Sequence, residues 1–151
     1  MTAGPKAANG FPSTVFGPAR LGPITLKNRV IKAATFEGAA PKGEVSDRLI
    51  AFHRRVAEGG AAMTTVAYLA VAPEGRTDRH CIVLSEESLP GLHRLTQAVH
   101  EAGAAASAQI GHAGPVANAR SNQAASLAPS RRFSPMGSMT RACLLYTSRC
   151  V

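Results

Sequence analysis

Three apolar segments alternate with two helix-like segments, and this order constrains the fold more than any other feature of the chain. The apolar segments are RVIKAATF (residues 29–36), AMTTVAYL (62–69) and AAASAQI (104–110). The first two carry the β-branched and aromatic residues typical of strands, and the third is assigned to a strand by its position after a helix. The alternation predicts parallel β-α units joined by right-handed crossovers.

The two intervening segments carry the signals of amphipathic helices. The first begins after Ser46, a residue type that caps helix N-termini, and ends at Gly59. The second ends at Gly103. Apolar residues recur every three or four positions in both: Leu49, Phe52 and Val56 in the first helix, and Leu92, Leu95, Val99 and Ala102 in the second. Each helix is therefore predicted to pack one face against the strands.

The segments outside this alternation are predicted to be a hairpin and loops. Residues 17–30 alternate weakly around a Gly-Pro pair, which predicts a short β-hairpin before the first strand. Residues 1–13 have no periodic pattern and are predicted to form a disordered amino terminus. The polar segment 72–87 and the residues after Gly111, which are rich in Pro, Asn and Ser, are predicted to be loops.

The composition is that of an ordinary soluble protein. Hydrophobic residues make up 45% of the chain and the mean hydropathy is close to zero, so we expect one domain or less. No run of about 18 apolar residues is present, and the start, MTAGPKAANG, lacks the basic and apolar regions of a signal peptide. We therefore expect a cytoplasmic protein without a membrane partner.

The net charge and the cysteine pattern bear on two other classes of protein: nucleic-acid-binding proteins, and proteins held together by disulfides or zinc. A net charge of +8, from 17 Lys and Arg against 9 Asp and Glu, raises the alternative of a small basic nucleic-acid-binding protein. The arginines are scattered and only 5% of the residues are aromatic, so we expect no nucleic-acid partner. The cysteines, Cys81, Cys143 and Cys150, are odd in number and have no CxxC spacing, which predicts neither a disulfide framework nor a zinc site.

Residues 143–151, CLLYTSRCV, differ from the rest of the chain because they have no periodicity and no capping residue. They can be back-translated as TGT CTC TTA TAC ACA TCT AGA TGT GTA, which resembles the transposon end used in sequencing libraries. We interpret this segment as a non-native, adapter-derived tail and exclude it from the fold. Any other codons at Tyr146 to Val151 in the raw nucleotide sequence would refute this interpretation.

Five phrases occur in the order and spacing typical of one enzyme family. They are LGPITLKNRV, EGGAAM, AVAPEGR, LTQAVHEAGAAASAQIGHAG and APS, between Leu21 and Ser130. In this combination the chain resembles the old yellow enzyme family, the FMN-dependent NADH:flavin oxidoreductases. The resemblance implies a TIM barrel with FMN across the carboxyl ends of its strands, and a complete barrel has eight β-α units in about 250 residues. We therefore predict an α/β fold: the first three β-α units of a (β/α)8 barrel with an amino-terminal hairpin, over residues 14–142.

The same resemblance implies an activity. NAD(P)H would reduce FMN, and FMN would pass hydride to a small-molecule substrate such as an activated alkene, as in ene-reductases and dienoyl-CoA reductases. The family's substrate-anchoring pair and proton-donating tyrosine belong to the fourth strand, and its FMN phosphate site belongs to the last two strands. No catalytic residue is therefore predicted in this chain, which we expect to be inactive by itself. The full-length enzyme is expected to be homo-oligomeric.

Cofactor contacts are implied at all three strand ends. The residues are Ala33, Ala34, Thr35, Phe36, Tyr68 and Gln109. Gln109 matches the family's glutamine, which hydrogen-bonds the pyrimidine edge of the flavin; the alternative is a polar residue that ties the strand to a loop. Phe36 stands where the family often has Thr or Cys, and it cannot donate their hydrogen bond. For Ala33 the alternative is packing within a buried strand.

Two further side chains have competing interpretations. Tyr68 stands where many relatives have a small residue beside the flavin, and it is either a flavin contact or a core aromatic with its hydroxyl at the surface. His112 follows the third strand in the family's HAG turn, which implies a substrate-proximal position without proton transfer. A metal-dependent barrel hydrolase that uses His112 with downstream ligands is the rival enzyme class, although no metal site is predicted here. Arg76 and Arg79 either reach an anionic substrate or face water, and we expect them to face water.

Overall fold

The computed structural model describes residues 14–134 and 140–142 as an α/β fold with a parallel sheet. The strands are β1 (Ala19–Leu21), β2 (Ile24–Leu26), β3 (Ile31–Phe36), β4 (Met63–Ala70), β5 (Ile82–Val83), β6 (Ala105–Gly111), β7 (Leu127–Ala128) and β8 (Arg141–Ala142). The helices are α1 (Asp47–Glu58), α2 (Leu89–Glu101) and α3 (Ala119–Asn122), and short 3-10 turns lie in the loops. The predicted amino terminus, 1–13, and the predicted tail, 143–151, lie outside the described residues.

The hairpin predicted before the first long strand is confirmed. β1 and β2 pair antiparallel, and the turn between them uses Gly22 with a φ of 55°, a conformation that glycine adopts without a steric penalty. Leu26 of β2 is buried together with Ala62 and Met63 at the start of β4. The hairpin therefore covers the amino-terminal end of the sheet and leaves the carboxyl ends of the strands open.

The three long strands form the parallel arrangement that the alternation predicted. β4 lies in the centre, with β3 along one edge and β6 along the other. Beyond the end of β3, the short strand β5 continues the same edge, and Leu69 of β4 pairs with Ile82 of β5. Because all these strands are parallel, their carboxyl ends lie along one edge of the sheet, where α/β folds carry their functional sites.

The main core lies between the helices and one face of the sheet. Its buried members are Ala39, Ala40, Leu49, Ala57, Val66, Leu69, Ile82, Leu95, Val99 and Ala104. The predicted caps are confirmed: the Ser46 hydroxyl accepts from the Leu49 N–H at 3.1 Å, and Gly59 follows the last turn of α1. The predicted apolar face of α2 is confirmed as well, because Leu95 and Val99 are fully buried.

The predicted apolar face of α1 needs a correction. The buried row of α1 is Leu49, His53 and Ala57, whereas Phe52 and Val56 are only half-buried beside it. The face is rotated because the His53 ring, although polar, hydrogen-bonds Thr64 in the sheet and so can occupy the buried position.

The predicted loops contain short elements that periodicity did not reveal. β5 lies inside the segment 72–87, and α3, β7 and β8 follow Gly111. These elements have two to four residues each, which is too few for a periodic pattern to register. None of the helices in the described part of the chain has the length and the apolar run needed to cross a bilayer.

Candidate functional site

The carboxyl end of β3 carries an irregularity where the sequence predicts a cofactor contact. Lys32 pairs with Thr64 of β4, and the next registered pair is Thr35 with Val66. Three steps along β3 thus match two steps along β4, so β3 holds one extra residue, at Ala33 or Ala34. Such bulges redirect a strand next to functional sites, and two small side chains at the bulge allow a planar group to approach the backbone closely.

A second irregularity lies at the end of β4. Val66 pairs with Ala108 of β6, and the next pair is Leu69 with Ile110, so here β4 holds the extra residue. The bulge includes Tyr68. The two strands therefore leave regular pairing at successive levels of the sheet, the β3 bulge before Val66 and the β4 bulge after it.

Gln109 lies on the face of the sheet that is turned away from the helices. The Thr65 and Ser107 hydroxyls hydrogen-bond each other at 2.8 Å across β4 and β6 on that face, opposite to the face that carries Val66 in the helix-packed core. Side chains two positions apart on a strand share a face, so Gln109 lies on the Ser107 side. Its amide is exposed and has no hydrogen-bond partner in the described part of the chain. It is free both to donate and to accept.

Phe36 lies at the same edge of the sheet. It pairs with Ala67 in the register of β3 and β4 and is 44% exposed. Together with Tyr68 and His80, these residues line a small cleft between the two strand ends. The hydroxyl of Thr35 points elsewhere, because it donates to a Glu37 carboxylate oxygen at 3.0 Å. Thr35 can therefore offer a ligand at this edge its backbone and its hydroxyl oxygen as an acceptor, but not its hydroxyl proton.

Tyr68 supports the loop that follows β4. Its hydroxyl donates to the Gly75 carbonyl, and its ring lies against Gly111, where an added Cβ would be 3.3 Å from Cε2. Burial, followed by the neighbouring Cys81, raises the pKa of Tyr68 to about 12, so the phenol stays neutral and keeps donating. The Cys81 thiol donates to the Tyr68 carbonyl at 3.1 Å, and burial raises its pKa above the ordinary value. Cys81 is therefore an inert packing thiol rather than a nucleophile.

His112 supports the same loop from the side of β6. Its Nδ1 accepts from the Gly114 N–H at 2.9 Å, which leaves Nε2 to carry the proton in the neutral ring. The ring covers Gly75, where an added Cβ would lie only 2.6 Å from Cδ2. The Gly75 carbonyl also accepts from the Ala113 N–H at 2.8 Å. The position predicted to be substrate-proximal is thus also a structural contact.

The loops after β4 and β6 are joined by further hydrogen bonds. The Asn122 amide donates to the Arg76 carbonyl at 2.7 Å, and the Arg76 guanidinium donates to the Asn122 carbonyl at 3.3 Å. The Arg79 N–H donates to the Ser121 hydroxyl at 3.0 Å. Arg76 was expected to face water and does so only in part, because it is half-buried and its guanidinium donates to backbone carbonyls. The Arg79 side chain is exposed as expected. The two loops form one layer at the carboxyl edge of the sheet.

Replacement of Gly75 by alanine is expected to open this layer. The new Cβ would displace the His112 ring and disturb the Gly75 carbonyl, which would speed hydrogen exchange of the Ala113 amide by roughly tenfold, since about 1.4 kcal/mol corresponds to a factor of ten. The measurement is amide exchange by NMR or mass spectrometry. In a His112→Ala background the same replacement should have little effect, and an equal effect in both backgrounds would contradict the contact.

Sequence reasoning missed a buried polar group behind β3. Lys32, Glu37, His53 and Thr64 meet between α1 and the strands, and His53 has no exposed surface. Burial, followed by the Lys32 charge, lowers the pKa of His53 to about 4, so the ring is neutral at physiological pH. The available signals were a lysine inside an apolar strand and a histidine in the middle of an amphipathic helix. Neither signal says that the two side chains meet.

The alternative hypothesis, a metal-dependent barrel hydrolase that uses His112, finds no support in the part of the chain that the structure describes. Within residues 14–134 and 140–142, no three His, Cys, Asp or Glu side chains are close enough to hold a metal ion together. His112 has its Nδ1 occupied by a backbone N–H, as described above.

The chain is similar to known flavin enzymes over most of its length. It is 65% identical over 122 residues to a 4,4'-dithiodibutanoate disulfide reductase from Rhodococcus erythropolis, which covers 81% of this chain and 30% of that protein. A 2-naphthoyl-CoA reductase structure superposes with a TM-score of 0.80 at 26% identity, covering 86% of this chain and 22% of the other. The old yellow enzyme homologue from Zymomonas mobilis has a TM-score of 0.76 at 23% identity, covering 87% and 40%.

These likenesses confirm the predicted fold class, since the described residues superpose on part of a TIM barrel. The chain spans less than a third of the length of the first curated relatives it matches. The sequence profile of one family matches residues 14–143, nearly the whole chain. The chain therefore belongs to the NADH:flavin oxidoreductase / NADH oxidase family, whose old yellow enzyme members use FMN with NAD(P)H as the reductant.

Proposed function

We propose that the complete barrel, meaning an enzyme that carries this chain as its amino-terminal part together with the remaining strands, is an FMN-dependent NAD(P)H oxidoreductase. In this proposal residues 14–142 form the first three β-α units of the barrel, and the enzyme is cytoplasmic. The observation that carries the proposal is the unpartnered Gln109 amide at the carboxyl edge of the sheet, level with the β4 bulge and just beyond the β3 bulge.

The residues at this edge fit a flat heterocycle with a polar rim. The Gln109 amide would donate to and accept from the pyrimidine edge of the flavin. The backbone at Ala33, Ala34 and Thr35 would contact the ring, since the small side chains of the bulge leave it accessible. Phe36 would provide an apolar surface without a hydrogen bond. When bound, FMN supplies the hydride chemistry, and the protein orients it and adjusts its electronics.

Tyr68 would lie beside the flavin, and His112 would lie on the substrate side of this arrangement. The neutral Tyr68 phenol and the His112 ring hold the Gly75 loop in place, and this loop would form a wall beside the acceptor. The protonated Nε2 of His112 is the nitrogen that remains available to donate to a substrate oxygen. We assign no proton transfer to the carbon or sulfur of the substrate to either residue.

Two acceptor classes are proposed. An activated alkene takes up one hydride and one proton across its C=C bond, which is the acceptor that the resemblance implies. An organic disulfide takes up the same hydride and proton to give two thiols, and the 65% identical disulfide reductase favours this second candidate. NADH oxidation by the complete barrel, measured separately with an α,β-unsaturated ketone and with 4,4'-dithiodibutanoate, distinguishes the two classes by kcat/KM.

Replacement of Gln109 by leucine in the complete barrel is expected to weaken FMN binding by about tenfold, since a lost hydrogen-bonding partner costs roughly 1–2 kcal/mol. The dissociation constant can be measured by quenching of FMN fluorescence. The matched control is Gln97→Leu, which changes an exposed glutamine on α2 that bonds only Glu101 in the described structure. An FMN affinity that is unchanged in the Gln109 variant would refute the proposed contact.

A further inference from the structure

Lys32 and Glu37 form an ion pair that is largely withdrawn from water. Their side chains are 15% and 10% exposed, and the pair lies between the end of β3 and α1. The Lys32 ammonium also donates to the Thr65 carbonyl at 3.3 Å and lies 5.2 Å from the centre of the Phe52 ring. An ion pair of this kind is costly to bury and does little for stability compared with apolar packing, so its position needs another explanation.

The two oxygens of the Glu37 carboxylate have different surroundings. Oε1 accepts from the Lys32 ammonium and from the Thr35 hydroxyl, and Thr35 adjoins the β3 bulge. Oε2 is buried and has no hydrogen-bond partner in the described part of the chain. Glu37 directly follows Phe36, so its carboxylate reaches back along the strand segment that carries the predicted flavin contacts.

The unpartnered oxygen faces an unpartnered nitrogen. His53 Nε2 is buried, lacks a hydrogen-bond partner among the described residues, and lies 4.0 Å from Glu37 Oε2. The other ring nitrogen, Nδ1, is 2.7 Å from the Thr64 hydroxyl. A separation of 4.0 Å is too long for a direct hydrogen bond, but a single water placed to one side can lie about 2.8 Å from both atoms.

We propose that Glu37 is a positioning residue: through Lys32 and Thr35 on one oxygen, and through a buried water to His53 on the other, it holds the bulged end of β3 where the flavin ring is to lie. Neutral His53 donates from Nε2 to the water while Nδ1 accepts from Thr64, and the water donates to Glu37. The link therefore joins β3 to α1 and, through Thr64, to β4. This proposal rests on the proposed function, because the flavin gives the position of β3 its consequence.

The test uses the complete barrel with Glu37→Gln, alone and combined with Lys32→Met, which removes the lysine charge that the first change leaves unpaired. We expect FMN to bind roughly tenfold more weakly in both variants, since small misplacements of a contact surface carry penalties of this order. The flavin midpoint potential should also shift. The control is Glu58→Gln, which removes an exposed carboxylate that bonds Arg54 on α1 at 2.8 Å.

Amide exchange in the FMN-free protein separates this proposal from the proposed function. Residues 33–36 should exchange faster in Glu37→Gln than in the wild type, whether or not flavin binds. A wild type that binds no FMN would refute the proposed function alone, while unchanged exchange, affinity and potential in a folded Glu37→Gln/Lys32→Met variant would overturn the positioning role. A crystal structure of the complete barrel should contain one water between Glu37 Oε2 and His53 Nε2, and a direct hydrogen bond in its place would overturn the bridge.

Discussion

The 151-residue chain expressed by itself is expected to bind FMN at least about 100-fold more weakly than the complete barrel. In TIM barrels, a phosphate group is held by the loops after the last two strands and by a short helix, and the match to the disulfide reductase covers only 30% of that protein. Loss of two charge-assisted hydrogen bonds to the phosphate, at roughly 1.5–3 kcal/mol each, accounts for a reduction of this size. Fluorescence quenching of FMN measures it directly.

The same chain should also be only marginally folded. Along its outer edge β6 has no strand partner among the described residues, and an unpaired strand edge invites association with other chains. Large apolar side chains are also open to water, including Ile110 of β6, which is 55% exposed, and Phe133, which is 73% exposed. We expect a broad unfolding transition, binding of a hydrophobic dye and concentration-dependent association in sedimentation experiments.

One result would contradict both expectations, the weak FMN binding and the marginal folding of the isolated chain. If the isolated chain is a monomer that unfolds cooperatively and holds a yellow cofactor through gel filtration, the missing strands are not needed for the site. The complete barrel, prepared in parallel, is the control that shows whether the flavin site exists in the intact enzyme.

The elements that the sequence predicted correctly are those with a repeating pattern and a chemical stop signal. α1 begins after Ser46 and α2 ends just before Gly103, as the capping residues indicated. The poor strand former AAASAQI became β6, because its backbone pairs with β4 over most of the strand length and this pairing outweighs the low β-propensity of alanine.

The features that escaped prediction depend on contacts between distant segments. The bulges of β3 and β4 exist only relative to their neighbouring strands, so no local pattern encodes them. The contact of His112 with Gly75 joins residues far apart in sequence, and the glycine is required because the ring occupies the space of a Cβ. A histidine in an HAG turn and a glycine in a polar loop carry no local sign of each other.

The candidate site also contains both residues that a local signal predicted and residues that only packing brings together. Gln109 was predicted through the family resemblance together with its place at a strand end, and the structure leaves its amide free at that edge. Glu37 and His53 were missed because neither residue signals a buried contact by itself. A charged residue after a strand is normally solvated, and a single histidine in a helix is found both at the surface and in the core. Only the packing of α1 against β3 and β4 brings these two side chains to face each other.

Acidification is expected to destabilise the complete barrel through His53. The folded protein keeps the His53 pKa near 4, against 6.5 for an ordinary histidine, so the unfolded chain binds the proton more readily. The contribution of His53 to stability is therefore constant above about pH 6.5 and falls as the pH is lowered towards 4. This difference between the folded and unfolded pKa corresponds to about 3 kcal/mol in the free energy of unfolding, because each pKa unit is worth about 1.4 kcal/mol.

Urea unfolding of the complete barrel at several pH values between 7 and 4 tests this prediction, with His53→Gln as the variant. Glutamine has a similar reach and does not titrate, so the fall in unfolding free energy between these limits should be smaller in the variant by about 3 kcal/mol. The matched control is His100→Gln, which makes the same substitution at an exposed position in the last turn of α2, away from the buried group around His53. Equal slopes for wild type and His53→Gln would mean that folding does not lower the pKa of His53, which would contradict this prediction.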